Sequence, residues 1–150
     1  MSKPVIQSVA IVVIDSAGRL LVVRRAEDDD NLPGLWGLPA ASLRDGETPE
    51  DAAIRAGADK LGVGLKILRY MGEDTIDRGH AISHLRQYSA EIVSGHPSVP
   101  QDDHSVSQYA DLRYTGDPTV LFASARRGSL CSRIYLRNIN VPWEELAAHQ

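Results

Sequence analysis

One segment limits the folds open to this chain more than any other: TPEDAAIRAGADKL, Thr48 to Leu61. Thr48 can cap a helix, Pro49 suits its first turn, Asp51 stands at the capping-box position, and Gly62 can end it. Ala52, Ala53, Ala56, Ala58 and Leu61 supply helix-forming and packing residues, while Gly57 costs roughly 1 kcal/mol relative to Ala. This helix interrupts a run of strand-like segments. Val5 to Ile14 is rich in β-branched residues and reads as a buried strand. The turn signal DSAG (Asp15 to Gly18) leads into a second strand, Arg19 to Arg25, so a hairpin is expected. After the helix, Leu65–Gly72 and His80–Val93 read as strands joined by the polar EDTIDRG, and VSQYADLRY as a further strand. TGDP starts a helical stretch, Thr119 to Arg137, broken near Gly128. A short helical turn in NINVPWEELAAHQ closes the chain. Strands, helix, strands, helix in that order predict a mixed α/β (α+β) domain with helices packed on a curved sheet.

The 150 residues suit one domain spanning 1–150. A net charge of −4 sets up no general attraction to nucleic acid or anionic membrane, so any phosphate must be held by a local constellation. Cys131 is the one cysteine, which excludes an internal disulfide and makes a reducing cytoplasm the expected compartment. The N-terminal apolar run is too short to span a membrane and is interrupted by Gln7 and Ser8.

The stretch GLWGLPAASLRDGETPEDAAIRAGADKLGV, Gly34 to Val63, resembles the signature box of the Nudix hydrolase family. Laid on that box, Ala41 stands at its first glycine and Glu47 at its first glutamate. Arg55 is its arginine, Gly62 its late glycine and Val63 its final aliphatic residue. The resemblance extends to the order of elements along nearly the whole chain, and so implies a Nudix-type fold, a mixed curved sheet packed between helices. It implies a pyrophosphohydrolase using Mg²⁺ or Mn²⁺ on a small nucleotide-type ligand, with no nucleic acid or membrane partner. It leaves a homodimer open, since Nudix relatives often dimerise.

The box departs from its family where the chemistry is expected. Ala40 and Ala41 replace a glycine pair whose backbone permits close approach to a metal or phosphate. The family run Arg-Glu-aliphatic-x-Glu-Glu has become Arg55, Ala56, Gly57, Ala58, Asp59, Lys60. In an α-helix, positions 56, 59 and 60 project from one face. The family's glutamates there hold divalent cations, and magnesium prefers several hard oxygen ligands. Here that face carries Ala, Asp and Lys, and its formal charge falls to zero. The family assigns Glu47 and Arg55 mainly to loop and helix geometry, with Glu47 also near the metal and Arg55 within the catalytic box. Asp59 reads as a remaining metal ligand or as an i,i+4 ion-pair partner of Arg55. Lys60 reads as an ammonium that contacts phosphate where a metal would stand, or as a solvated lysine near a helix C-terminus.

The loop QDDHS (Gln101 to Ser105) is the second candidate region. DDHSVSQYADL and SRIYL resemble the GDP-mannose mannosyl hydrolase branch of the family. That match makes Asp103 a metal ligand and His104 a general base, or else leaves them in a surface loop. Arg24, Arg25 and Arg44 can pair with phosphate oxygens, and Trp36, Tyr70 and Tyr88 can stack on a base or pack in the core. His80, His84 and His96 carry less information. Asp28–Asp30 reads as a solvated acidic loop with cation binding as the alternative. Arg126, Arg127, Arg133 and Arg137 read as a solvated helix face.

Two main functions are open to such a chain, with an interaction or structural domain as a weaker third. The first is a divergent hydrolase of low or atypical activity on a nucleoside diphosphate linked to another group, such as a nucleotide sugar, with at most one metal. The second is an inactive Nudix-fold module that binds a phosphorylated ligand. The end-to-end match of the fold and the late acidic loop favour the first.

Overall fold

The computed structural model describes residues 3–27, 32–99 and 109–144. Asp28–Asp30, Asp103 and His104 lie outside the described residues. Among the described residues, seven strands form two sheets: β1 (Val5–Val13), β2 (Leu20–Arg25), β3 (Trp36–Gly37), β4 (Ala40–Ser42), β5 (Gly64–Asp77), β6 (Ile82–Ser94) and β7 (Tyr109–Thr115). One sheet runs β4-β1-β6-β5 and the other β3-β2-β7. β1 lies parallel to β6, with Val5 opposite Ile82 and Val13 opposite Ala90. The remaining pairings are antiparallel.

The apolar runs of β1 and β2 show no clean alternation because both of their faces are buried. Val9, Ile11, Val13, Leu21 and Val23 pack on one side with Ala52, Ala53 and Leu61 of the box segment. Ala10, Val12, Leu20 and Val22 pack on the other with Leu121, Phe122, Ile134 and Leu136. This is a mixed α+β fold with curved sheets between helices, as expected.

The α-helix of the box, α1, covers Pro49–Ala56, and the Thr48 Oγ1 caps it by accepting from the Asp51 N–H at 3.1 Å. The helix then continues as a wider π turn, Gly57–Leu61, ended by Gly62 at φ 70°. A Cβ on Gly57 would lie 2.5 Å from the Leu65 Cδ1. The glycine that propensity counts as a cost is thus what lets the turn sit against β5.

Two expected strand arrangements differ from the structure. The β1–β2 hairpin holds as a pair only at its mouth, where Ile14 bridges Leu20, and beyond that the strands enter separate sheets. The turn itself forms as expected, with Asp15 Oδ1 accepting from the Ala17 and Arg19 N–H groups. The polar segment Glu73–Asp77 is strand, not loop: β5 pairs with β6 through Asp77 opposite Ile82. β5 is an edge strand, so its outer side carries polar residues, and backbone pairing with β6 outweighs the low strand propensity of Glu and Asp.

The C-terminal stretch starts with a tight turn, Pro118–Leu121, succeeded by α2 (Phe122–Arg126) and α3 (Leu130–Asn138). The break falls at Gly128, φ 101°. Among the described residues, no helix is long and apolar enough to cross a membrane.

Candidate functional site

Position 40 joins the site's elements. Ala40 and Ala41 lie in β4, opposite Ala10 and Val9, and neither has positive φ, so alanine fits both positions without strain. The Ala40 carbonyl oxygen accepts from the Lys60 Nζ at 2.5 Å and from the Tyr109 hydroxyl at 3.3 Å. The Ala40 N–H donates to the same hydroxyl at 3.1 Å. Lys60 also sits over the Tyr109 ring, 5.6 Å from its centroid.

The π turn changes what the box residues face. Ala56 is buried, Asp59 is exposed, and Lys60 is half-buried at a cleft. Positions 56, 59 and 60 thus differ in exposure, and the continuous α-helix expected over them gives way to the wider turn at Gly57. Burial pushes the Lys60 ammonium down to about 8, helped by the positive charges of Arg25 and Arg55, with Asp59 opposing.

Glu47 and Arg55 form a closed pair. The Glu47 carboxylate accepts from the Arg55 Nε and Nη2, both at 2.9 Å, and from the Arg44 N–H at 2.9 Å. The Arg55 Nη2 also donates to the Ser42 carbonyl at 2.8 Å, tying α1 to β4. The Arg55 guanidinium and the Arg44 N–H hold the Glu47 carboxyl down to about 2. Arg55 thus takes Glu47 as its ion-pair partner, while Asp59 attracts it only at longer range.

The cleft, about 440 Å³, opens at one end of the four-stranded sheet. Ile6, Ser8, Ser42, Ser83 and Leu85 of the sheet line it, and Lys60, Arg25, Arg78, His80 and Arg127 bring basic groups to the lining. No described carboxylate lines it. Arg78 is fixed by bonds from its Nε to the Ser83 Oγ at 3.2 Å and from its Nη2 to the Gly128 carbonyl at 3.0 Å. The structure thus brings Lys60 and Arg25 together, but leaves Arg44 exposed and outside the lining.

Of the other cleft residues, Arg78 is not singled out in the sequence, His80 carries little information there, and Arg127 reads as part of a solvated helix face. Arg78 and His80 belong to the turn between β5 and β6, and Arg127 to the turn before α3, where no periodicity marks them. The C-terminal arginines are not a uniformly solvated face. Arg126 lies over Phe122, Arg133 lies over Trp143, and Arg137 pairs with Asp74 at 2.5 Å.

The described residues do not fit the divalent metal that the family uses. No three His, Cys, Asp or Glu side chains converge among them. The Glu47 oxygens are engaged, Asp59 belongs to no such group, and an ammonium occupies the Ala40 carbonyl. Hard cations need several oxygen donors, and these residues provide a cation in their midst.

Comparison with known proteins agrees with the fold. Over 65 residues the chain is 31% identical to an RNA pyrophosphohydrolase of Novosphingobium aromaticivorans, covering 43% of this chain and 39% of that protein. Over 73 residues it is 37% identical to an isopentenyl-diphosphate Delta-isomerase of Mycolicibacterium vanbaalenii, covering 45% and 38%. The chain thus spans about two fifths of the length of these curated relatives. Among solved structures, the MutT protein of Methanosarcina mazei Go1 shares the fold with a TM-score of 0.72 at 14% identity, covering 93% of this chain and 96% of that one. The family model of the NUDIX domain matches residues 5–116, and the chain belongs to the Nudix hydrolase family.

Proposed function

We propose that this Nudix domain binds a small diphosphate-bearing ligand by direct contact with its own cations, without a bridging metal. The observation that carries the reading is the cleft itself: Lys60, Arg25, Arg78, His80 and Arg127 line it, with no described carboxylate among them. Lys60 supplies the central charge. Its ammonium is desolvated and repelled by Arg25 and Arg55, so an anion arriving in the cleft relieves an unfavourable charge already present. The two curated relatives differ in substrate, but the names of both contain a pyrophosphate or diphosphate. That shared group matches what a row of cations recognises.

A second reading rests on the family match over residues 5–116. In it, the domain also cleaves what it binds, at low rate, including nucleoside diphosphates linked to a further group such as a sugar. Asp103 and His104 would carry that chemistry, His104 taking the proton from water.

Titration calorimetry with inorganic pyrophosphate and a panel of nucleoside diphosphates and nucleotide sugars, in Mg²⁺ and in chelator, tests both. Binding that persists in chelator and weakens about 10–100-fold in Lys60→Ala supports direct recognition, the loss expected for a charge-assisted hydrogen bond. Binding that vanishes in chelator overturns it. Product release lost in His104→Ala and Asp103→Ala supports the second reading.

A further inference from the structure

The aromatic side chains that would give a nucleobase a stacking surface sit elsewhere. Trp36 is covered by the Arg113 guanidinium, 4.5 Å from its ring centroid. Tyr70 and Tyr88 meet edge-on at 5.5 Å, outside the cleft, and their hydroxyls donate to Glu73 and Glu50. Tyr109 lies under the Lys60 ammonium. No Phe, Tyr or Trp is among the described lining residues, and His80 is an exposed residue at the rim.

The lining offers hydroxyls instead. Ser8 and Ser42 face each other across β1 and β4, and Ser83 stands on the neighbouring β6 opposite Ile6. Serine hydroxyls both donate and accept, which suits sugar or polyol hydroxyls. A stacked base typically contributes about 1–3 kcal/mol, and the described lining residues offer no Phe, Tyr or Trp to supply it. The guanidinium of Arg78 is held by Ser83 and Gly128.

We propose that the cleft selects its ligand by phosphates and hydroxyls rather than by a base: its ligand class is a sugar or polyol carrying two phosphoryl groups. This rests on the cationic-cleft reading above and narrows it.

Calorimetry in chelator on the full chain decides it, with inorganic pyrophosphate, fructose 1,6-bisphosphate, ADP, GDP and UDP as probes. The sugar bisphosphate should bind at least as tightly as pyrophosphate. The three nucleoside diphosphates should agree with one another within about threefold and bind no tighter than pyrophosphate. Ser8→Ala with Ser42→Ala should weaken the sugar bisphosphate about threefold or more and leave pyrophosphate unchanged. Ser83 is kept because Arg78 donates to it. One nucleoside diphosphate binding about tenfold tighter than the other two, or than pyrophosphate, overturns base-free selection. So does a serine variant that affects both phosphate probes equally or neither. If pyrophosphate itself fails to bind, or binds equally to Lys60→Ala, the cationic-cleft reading falls first and this inference with it.

Discussion

The Lys60 ammonium donates to the Ala40 carbonyl at 2.5 Å, joining the π turn of the box to β4. The contact puts a positive charge where solvation is poor, and the lysine's affinity for its proton drops from 10.5 to about 8. A group that holds its proton less well folded than unfolded weakens the fold while it is charged. Stability therefore rises as pH climbs from about 8 to 10.5, and the whole penalty is present below 8. Lys60→Met should stabilise the protein at pH 7 by about 1–3 kcal/mol, an advantage that shrinks to nothing near pH 10.5, and should cost it pyrophosphate affinity. Urea unfolding at several pH values measures the first effect. A variant less stable than the parent at pH 7 would show that the bond to Ala40 outweighs the buried charge.

Glu47 titrates in the opposite sense. Its carboxyl is depressed from 4.5 to about 2 by Arg55 and the Arg44 N–H. Its contribution is complete above about 4.5 and disappears as pH falls towards 2. Glu47→Gln should melt below the parent at neutral pH, with the two melting curves converging in acid. A constant gap between them from pH 7 to pH 2.5 would refute this account.

Gly57 and Leu65 form a steric pair. With Leu65 Cδ1 only 2.5 Å from a built Cβ, Gly57→Ala should destabilise by about 1–3 kcal/mol despite alanine's better helix propensity. Combining it with Leu65→Val should recover part of the loss, read as a favourable coupling energy in a double-mutant cycle. Additive effects would place the strain elsewhere.

Gln87 is fully buried on β6, opposite Ala10 and Gly72, and neither of its amide atoms has a hydrogen-bond partner among the described residues. An unpaired buried amide costs free energy that an apolar side chain of similar length does not. Gln87→Met should raise unfolding stability by about 1–2 kcal/mol in denaturant titrations. A loss of similar size would mean that the amide is satisfied in solution.

Much of the fold was legible because its signals are local. Thr48, Pro49 and Asp51 mark the start of α1, and Asp15 makes its turn within four residues. The rest depended on contacts that no local pattern carries. Gly57 looks like a flaw in a helix until Leu65, a β5 residue, is set against it. Glu73 and Asp77 look like loop until β6 offers them partners. In the cleft, Lys60 was legible as an odd residue in a familiar box. Arg78 and Arg127 were not, since each reaches the site through a turn whose course is set by tertiary packing.

The parallel pairing of β1 with β6 has a kinetic consequence. β1 meets its parallel neighbour β6 only after Ile82 to Ala90 has been synthesised. Until then β4 covers only Ser8 to Ala10 of one edge, and the other edge of an apolar ribbon waits without its partner while aggregation competes with folding. The order of synthesis, not the final stability, is where this architecture is most vulnerable.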